Sequence, residues 1–162
     1  MRLFVRGLLS KKNLRLNGRS LSIGLACPIW SLSQFILNQA IGEKTMPETL
    51  NELNSIEELN RVLAASAARP VLLFKHSLTC PISARAYREV QSYLEEAEPH
   101  VSYHLITVQT ARAVSNEAAA RLQVVHQSPQ AILVRDGREV WNASHFDITA
   151  TTLDVVIKSH LS

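Results

Sequence analysis

The feature that most constrains this chain is Val71-Leu72-Leu73-Phe74, a continuous apolar run that begins directly after Pro70. It has the length of a strand and shows no polar alternation, which suits a strand covered on both faces. The turn His76-Ser77-Leu78-Thr79 follows. Cys80-Pro81 then places a proline where a helix naturally starts, because the N–H that proline lacks has no intrahelical partner at that position.

The rest of the chain supplies elements that fit around this strand. Upstream, Ser55-Ile56-Glu57-Glu58 reads as a capping box, with the Ser55 hydroxyl accepting from the Glu58 backbone and the Glu58 carboxylate reaching back. Ile56, Leu59, Val62 and Leu63 recur at helical spacing, which predicts a helix to about Ala68. Ile82, Ala86, Val90, Tyr93 and Ala97 share a second helical face, and Pro99 ends it. Val101 to Val108 reads as a strand, and Ser115 to Leu122 as a short helix capped by Ser115. Ala131-Ile132-Leu133-Val134 and Glu139-Val140-Trp141 flank Asp136-Gly137, a strong hairpin signal. A closing helix covers Thr149 to His160, with Leu153, Val156 and Ile157 inward. This order is α/β and matches the thioredoxin-like plan: a central four-stranded mixed sheet, its last two strands antiparallel, with helices on both faces.

Composition sets the boundaries of function. The 162 residues suit one compact domain with or without a tail, and two cysteines cannot form a disulfide framework. No apolar run approaches the ~20 residues that span a bilayer. The net charge of +3 is unevenly distributed. Residues 1–45 carry seven basic side chains against the single acid Glu43, a net +6, whereas residues 46–162 carry ten against thirteen, a net −3. A nucleic-acid role argued from overall charge therefore fails. Residues 1–45 are expected to be a basic N-terminal leader or upstream-start extension, and 46–162 the domain proper. Export, lipidation at Cys27 and organelle targeting are weaker readings of the leader. Its apolar stretch Leu21–Ala26 is short, and Gly24 stands where a lipoprotein box usually has Leu.

The chemistry centres on Cys80. Unsatisfied amide N–H groups at a helix start carry partial positive charge and favour a thiolate over a thiol. Lys75, His76 and Arg85 add positive potential if they face the sulfur; Lys75 and His76 either flank the thiolate or point outward. A buried structural thiol is the competing reading. Ser83 stands three residues on, where a dithiol oxidoreductase has its second cysteine, so Cys80-Pro81-Ile82-Ser83 is a one-thiol version of that motif. A serine there can donate a hydrogen bond but cannot resolve a mixed disulfide. Chemistry must stop at the mixed disulfide until an outside thiol arrives. The thioredoxin-like plan also implies that Ser128-Pro129, just before the third strand, is cis and faces the cysteine. Metal binding is not expected, because His76 and Cys80 are separated by a turn, His100 and His104 lie on or near a strand, and no zinc pattern is present.

Phe74-Lys75-His76-Ser77, Thr79-Cys80-Pro81-Ile82-Ser83, Val114-Ser115-Asn116, Gln127-Ser128-Pro129-Gln130 and Trp141-Asn142-Ala143-Ser144-His145 together resemble the monothiol bacilliredoxins, the YtxJ-type bacillithiol-system redox proteins of the thioredoxin-like superfamily. The resemblance covers Ser55 to Leu161. It implies a disulfide oxidoreductase that reduces mixed disulfides between proteins and bacillithiol, with Cys80 as nucleophile and Pro129 as the cis-proline. Thr79, Pro81 and Ser83, with Lys75 and His76 if they face the sulfur, are expected to support the cysteine, and Ser128, Pro129, Ser144 and His145 to form the substrate rim. His145 is either a rim residue or a satisfied hairpin-end histidine. Phe146 departs from the family's usual Trp. The expected co-substrate is a low-molecular-weight thiol, bacillithiol, with no tightly bound cofactor or metal. Expected partners are S-thiolated client proteins, with neither nucleic acid nor membrane, for a cytoplasmic monomer. A non-catalytic thioredoxin-like binding module and a thiol peroxidase are the alternative functions.

Overall fold

A computed structural model describes residues 48–161. The readings of the leader and of Cys27 lie outside the described residues. The elements run β1 (Asn51–Glu52), α1 (Ile56–Ala65), β2 (Val71–His76), α2 (Pro81–Leu94), β3 (Ser102–Thr107), α3 (Arg112–Leu122), β4 (Gln130–Arg135), β5 (Arg138–Ser144), a 3-10 turn (His145–Asp147) and α4 (Ala150–Leu161). They build a single mixed sheet in the order β1-β3-β2-β4-β5. The sheet has five strands where four were expected. The extra one, β1, is two residues long and pairs in parallel with His104 and Leu105 of β3. Two residues are too few to leave a periodic signal.

The apolar run of β2 is central, parallel to β3 on one side and antiparallel to β4 on the other. All six of its residues are buried. Because side chains alternate across a strand, the run divides into two cores. Leu72 and Phe74 pack with Ala86, Val90 and Tyr93 of α2 and with Leu153 and Ile157 of α4. Val71 and Leu73 pack with Leu59 and Leu63 of α1 and with Val114, Ala118 and Leu122 of α3. Each fully buried leucine or valine stabilises the fold by roughly 1.5–3 kcal/mol relative to exposure.

Local signals account for most boundaries. The Ser55 capping box is present in both directions, with Glu58 N–H donating to Ser55 Oγ (3.1 Å) and Ser55 N–H to Glu58 Oε2 (3.1 Å). Helix α1 stops at Ala65, three residues early, because Ser66 turns back to Leu63: its hydroxyl donates to that carbonyl (2.6 Å). The same Ser66 receives the hairpin turn, accepting from Gly137 N–H at 2.7 Å. Asp136 and Gly137 both have positive φ, 52° and 71°, the geometry of a two-residue type I′ hairpin. Helix α3 begins at Arg112, not at Ser115. Ser115 is buried inside the helix, and its hydroxyl lies 3.4 Å from His126 Nδ1, so it caps nothing.

Candidate active site

The register of the sheet brings three separated segments to one end. Lys75 pairs with Gln130, and Gln130 pairs with Ser144. The Ser77–Cys80 turn after β2, Ser128-Pro129 before β4 and Ser144-His145 at the end of β5 therefore lie together. Ser128–Pro129 is cis. The Pro129 carbonyl accepts from His145 N–H (3.2 Å), and His145 adopts φ 57° to make that bond. His145 is thus built into the rim through its backbone.

Cys80 is a half-buried free thiol at the N-cap of α2. Its backbone is extended (φ −98°, ψ 119°), and its side chain caps no amide. Pro81 occupies the first helical position, and the first intrahelical bond runs from Ala84 N–H to the Cys80 carbonyl (3.0 Å). The amides of Ile82 and Ser83 are left as the partial positive charge at this end, and no acid occupies the first turn to offset it.

Ser83 is completely buried. Its hydroxyl accepts from Ser77 N–H (2.8 Å) and lies 3.0 Å from His76 Nδ1. The position occupied by the second cysteine in dithiol enzymes here anchors the turn that carries Cys80. His76 is itself buried, its ring 5.0 Å from that of Tyr87 and 6.0 Å from that of Phe74. Burial holds its imidazole below the ordinary range, against a smaller opposing effect of a hydrogen bond with the Ser83 backbone. Neither His76 nor Lys75 points outward. Strand alternation sends His76 toward α2 and Lys75 toward α1 and α3. The Lys75 ammonium is buried without a hydrogen-bond partner, and burial pushes its pKa down to about 8. Ser128 Oγ is also buried and unpartnered.

Two glutamines organise the site, and only one lay in a recognisable motif. Gln130 straddles the turn before the cis-proline, donating to the Val125 carbonyl (3.0 Å) and accepting from Gln127 N–H (3.3 Å). Gln109 follows β3 in no recognisable pattern. Its carboxamide accepts from Leu78 N–H (3.1 Å) and donates to Ser77 Oγ (2.7 Å) and Thr79 Oγ1 (3.3 Å), gripping the turn before Cys80. No single-sequence signal identifies it. On the far rim, the Arg85 guanidinium sits 5.3 Å from the centre of the exposed Phe146 ring. Among the described residues no three His, Cys, Asp or Glu side chains converge as a metal site, and no helix is long and apolar enough to cross a membrane.

Comparison with known proteins agrees with this geometry. The family model described as monothiol bacilliredoxin BrxC matches residues 51–153. A solved structure assigned as an oxidoreductase with a thioredoxin fold is 34% identical, covers 67% of this chain and 93% of its own, and superposes with a TM-score of 0.60. Thioredoxin from Fasciola hepatica is 20% identical over 68% of this chain and 99% of its own, with a TM-score of 0.56. A thioredoxin variant from Halobacterium salinarum is 18% identical over 72% and 94%, with a TM-score of 0.57. The last two likenesses speak for the fold alone.

Proposed function

Because the chain belongs to the monothiol bacilliredoxin family, a family of thiol redox proteins, we propose that it removes a low-molecular-weight thiol from S-thiolated proteins through Cys80 alone, and that bacillithiol is that thiol. The observation that carries the reading is the pairing of a half-buried, uncapped Cys80 with a Ser83 that is buried and engaged by Ser77 and His76. The Cys80 thiolate attacks the small-thiol sulfur of the mixed disulfide. The client's S–S bond breaks, and the client leaves as a thiolate that takes a proton from water. A second small thiol then attacks the small-thiol sulfur on Cys80, restoring the Cys80 thiolate and releasing a symmetric disulfide. Each step exchanges one S–S bond for another, so no outside oxidant is needed.

The test is intact mass spectrometry of the full chain carrying Cys27→Ser, incubated with a client peptide held in a mixed disulfide with the small thiol. One small-thiol equivalent should appear on Cys80 as free peptide is released, and Cys80→Ser should show neither. Peptide released by Cys80→Ser at the wild-type rate would refute the reading.

A further inference from the structure

Among the described residues, the end that holds Cys80 also gathers positive charge that takes part in no ion pair. Helix α3 starts at Arg112 with no side-chain cap and no acid in its first turn, so its first amides lack intrahelical partners. His126 packs on that turn, its Nδ1 3.4 Å from Ser115 Oγ. Beneath it, on the sheet face covered by α3, lies the Lys75 ammonium, wholly buried and without any hydrogen-bond partner. Besides burial, the charges of Lys75 and Arg112 hold the His126 imidazole below its ordinary range. Neither of the two ion pairs among the described residues involves them. A few residues on, Ser128 Oγ is a second buried polar atom left without a partner, immediately before the cis-proline.

A buried cation without a counter-charge is costly and usually has a partner. An uncapped helix start with the Arg112 guanidinium beside it attracts an anion, and a neutral His126 imidazole can donate a hydrogen bond to it. The location adds the chemistry. Gln109, three residues ahead of α3, is hydrogen-bonded to Leu78 and Thr79, the residues just before Cys80, which ties the turn carrying Cys80 to the loop that leads into α3.

We propose that the start of α3, Arg112 and His126, backed by the buried Lys75 ammonium, form a subsite for a carboxylate of the small thiol exchanged at Cys80. The assignment rests on the exchange reaction proposed above and adds a selectivity to it: an anionic small thiol is preferred over a neutral one.

The experiment uses the full chain carrying Cys27→Ser, so that one thiol reports. Two symmetric disulfides serve as probes, the dianionic dithiodipropionate and the neutral hydroxyethyl disulfide. Their rates of adding to Cys80 are read by intact mass, with a blocked cysteine as the reference. The ratio of anionic to neutral rate should exceed the reference ratio by about tenfold at low salt and shrink as salt screens the subsite. Arg112→Gln should lower the ratio about threefold, the size of one partly exposed charge contact, and His126→Gln and Lys75→Met should each lower it in the same direction. A ratio equal to the reference, or unchanged in all three variants, overturns the subsite while leaving the exchange reading intact. If neither disulfide reacts faster than with the blocked cysteine, the exchange reading fails with it. A final arm places the acid on a peptide, beside the cysteine of a mixed disulfide with a neutral thiol. Preference for that substrate alone would assign the corner to the client protein and refute the proposal.

Discussion

Replacing Ser83 by cysteine tests the one-thiol reading where the structure makes it most specific. Ser83 is fully buried and serves two neighbours, Ser77 N–H at 2.8 Å and His76 Nδ1 at 3.0 Å. A thiol is a poorer donor and acceptor than a hydroxyl, so Ser83→Cys forfeits most of two hydrogen bonds, about 1 kcal/mol each. The larger sulfur in a packed site adds a cost of roughly 1–3 kcal/mol. The variant is therefore expected to lose about 3–5 kcal/mol of stability by urea unfolding and still to fold. Its redox behaviour should change in kind. The introduced thiol stands three residues along the first turn from Cys80, beside an imidazole that burial keeps neutral and able to accept a proton. Once deprotonated, it attacks the Cys80 sulfur of the adduct, expels the small thiol and closes an intramolecular disulfide. Among the described residues the wild type has no second thiol to offer such an exit, so in a Cys27→Ser background it should hold its adduct until external thiol is added. Mass spectrometry of the Cys80 adduct over time, without reductant, reads the difference directly. If the wild type sheds its adduct as fast as Ser83→Cys does, the one-thiol mechanism is wrong.

Two further substitutions check the architecture around the cysteine. Gln109→Leu keeps the side chain's bulk and removes three hydrogen bonds to the turn before Cys80. Because Gln109 is exposed, water replaces part of the loss and stability should fall by only about 1 kcal/mol, while the rate of Cys80 adduct formation falls severalfold; an unchanged rate would remove Gln109 from the site. Lys75→Met addresses the buried ammonium. With its pKa at about 8 in the folded protein against the ordinary 10.5 of a lysine in the unfolded chain, the unfolded chain binds more protons between those values, so this group penalises the fold fully below pH 8 and progressively less as pH rises toward 10.5. The shift corresponds to about 3 kcal/mol. Lys75→Met should therefore be more stable than wild type near neutral pH by up to that amount, and the advantage should shrink on going alkaline. An advantage independent of pH across that window would show that Lys75 is not held as described.

What could be read in advance followed from local rules. The capping box at Ser55, the Asp136-Gly137 hairpin, Pro81 at a helix start and the unalternating run of β2 each specify backbone geometry within a few residues, and each appears as expected. Failures came where a local signal was too short or had a rival. Strand β1 is two residues long and exists because β3 offers it an edge. Ser115 fits a cap by type, yet the chain enters α3 three residues earlier and buries its hydroxyl against His126.

The same division runs through the site. The sequence alone determined which atoms could react: one thiol in the domain, placed at the junction of a buried strand and a helix, with a serine where a resolving cysteine would stand. Spacing along a chain sets such relations, because they lie within one helical turn. What surrounds the thiol was decided only by the fold. Lys75 and His76 are adjacent in sequence, but the pleat of β2 sends one under α3 and the other against Tyr87. Gln109 reaches the turn before Cys80 from 31 positions away in the case of Leu78, and the cis-proline reaches this end of the sheet through the pairing of Lys75 with Gln130. These contacts depend on strand register and on which faces are buried, quantities fixed by packing of the whole sheet and carried by no single stretch of residues.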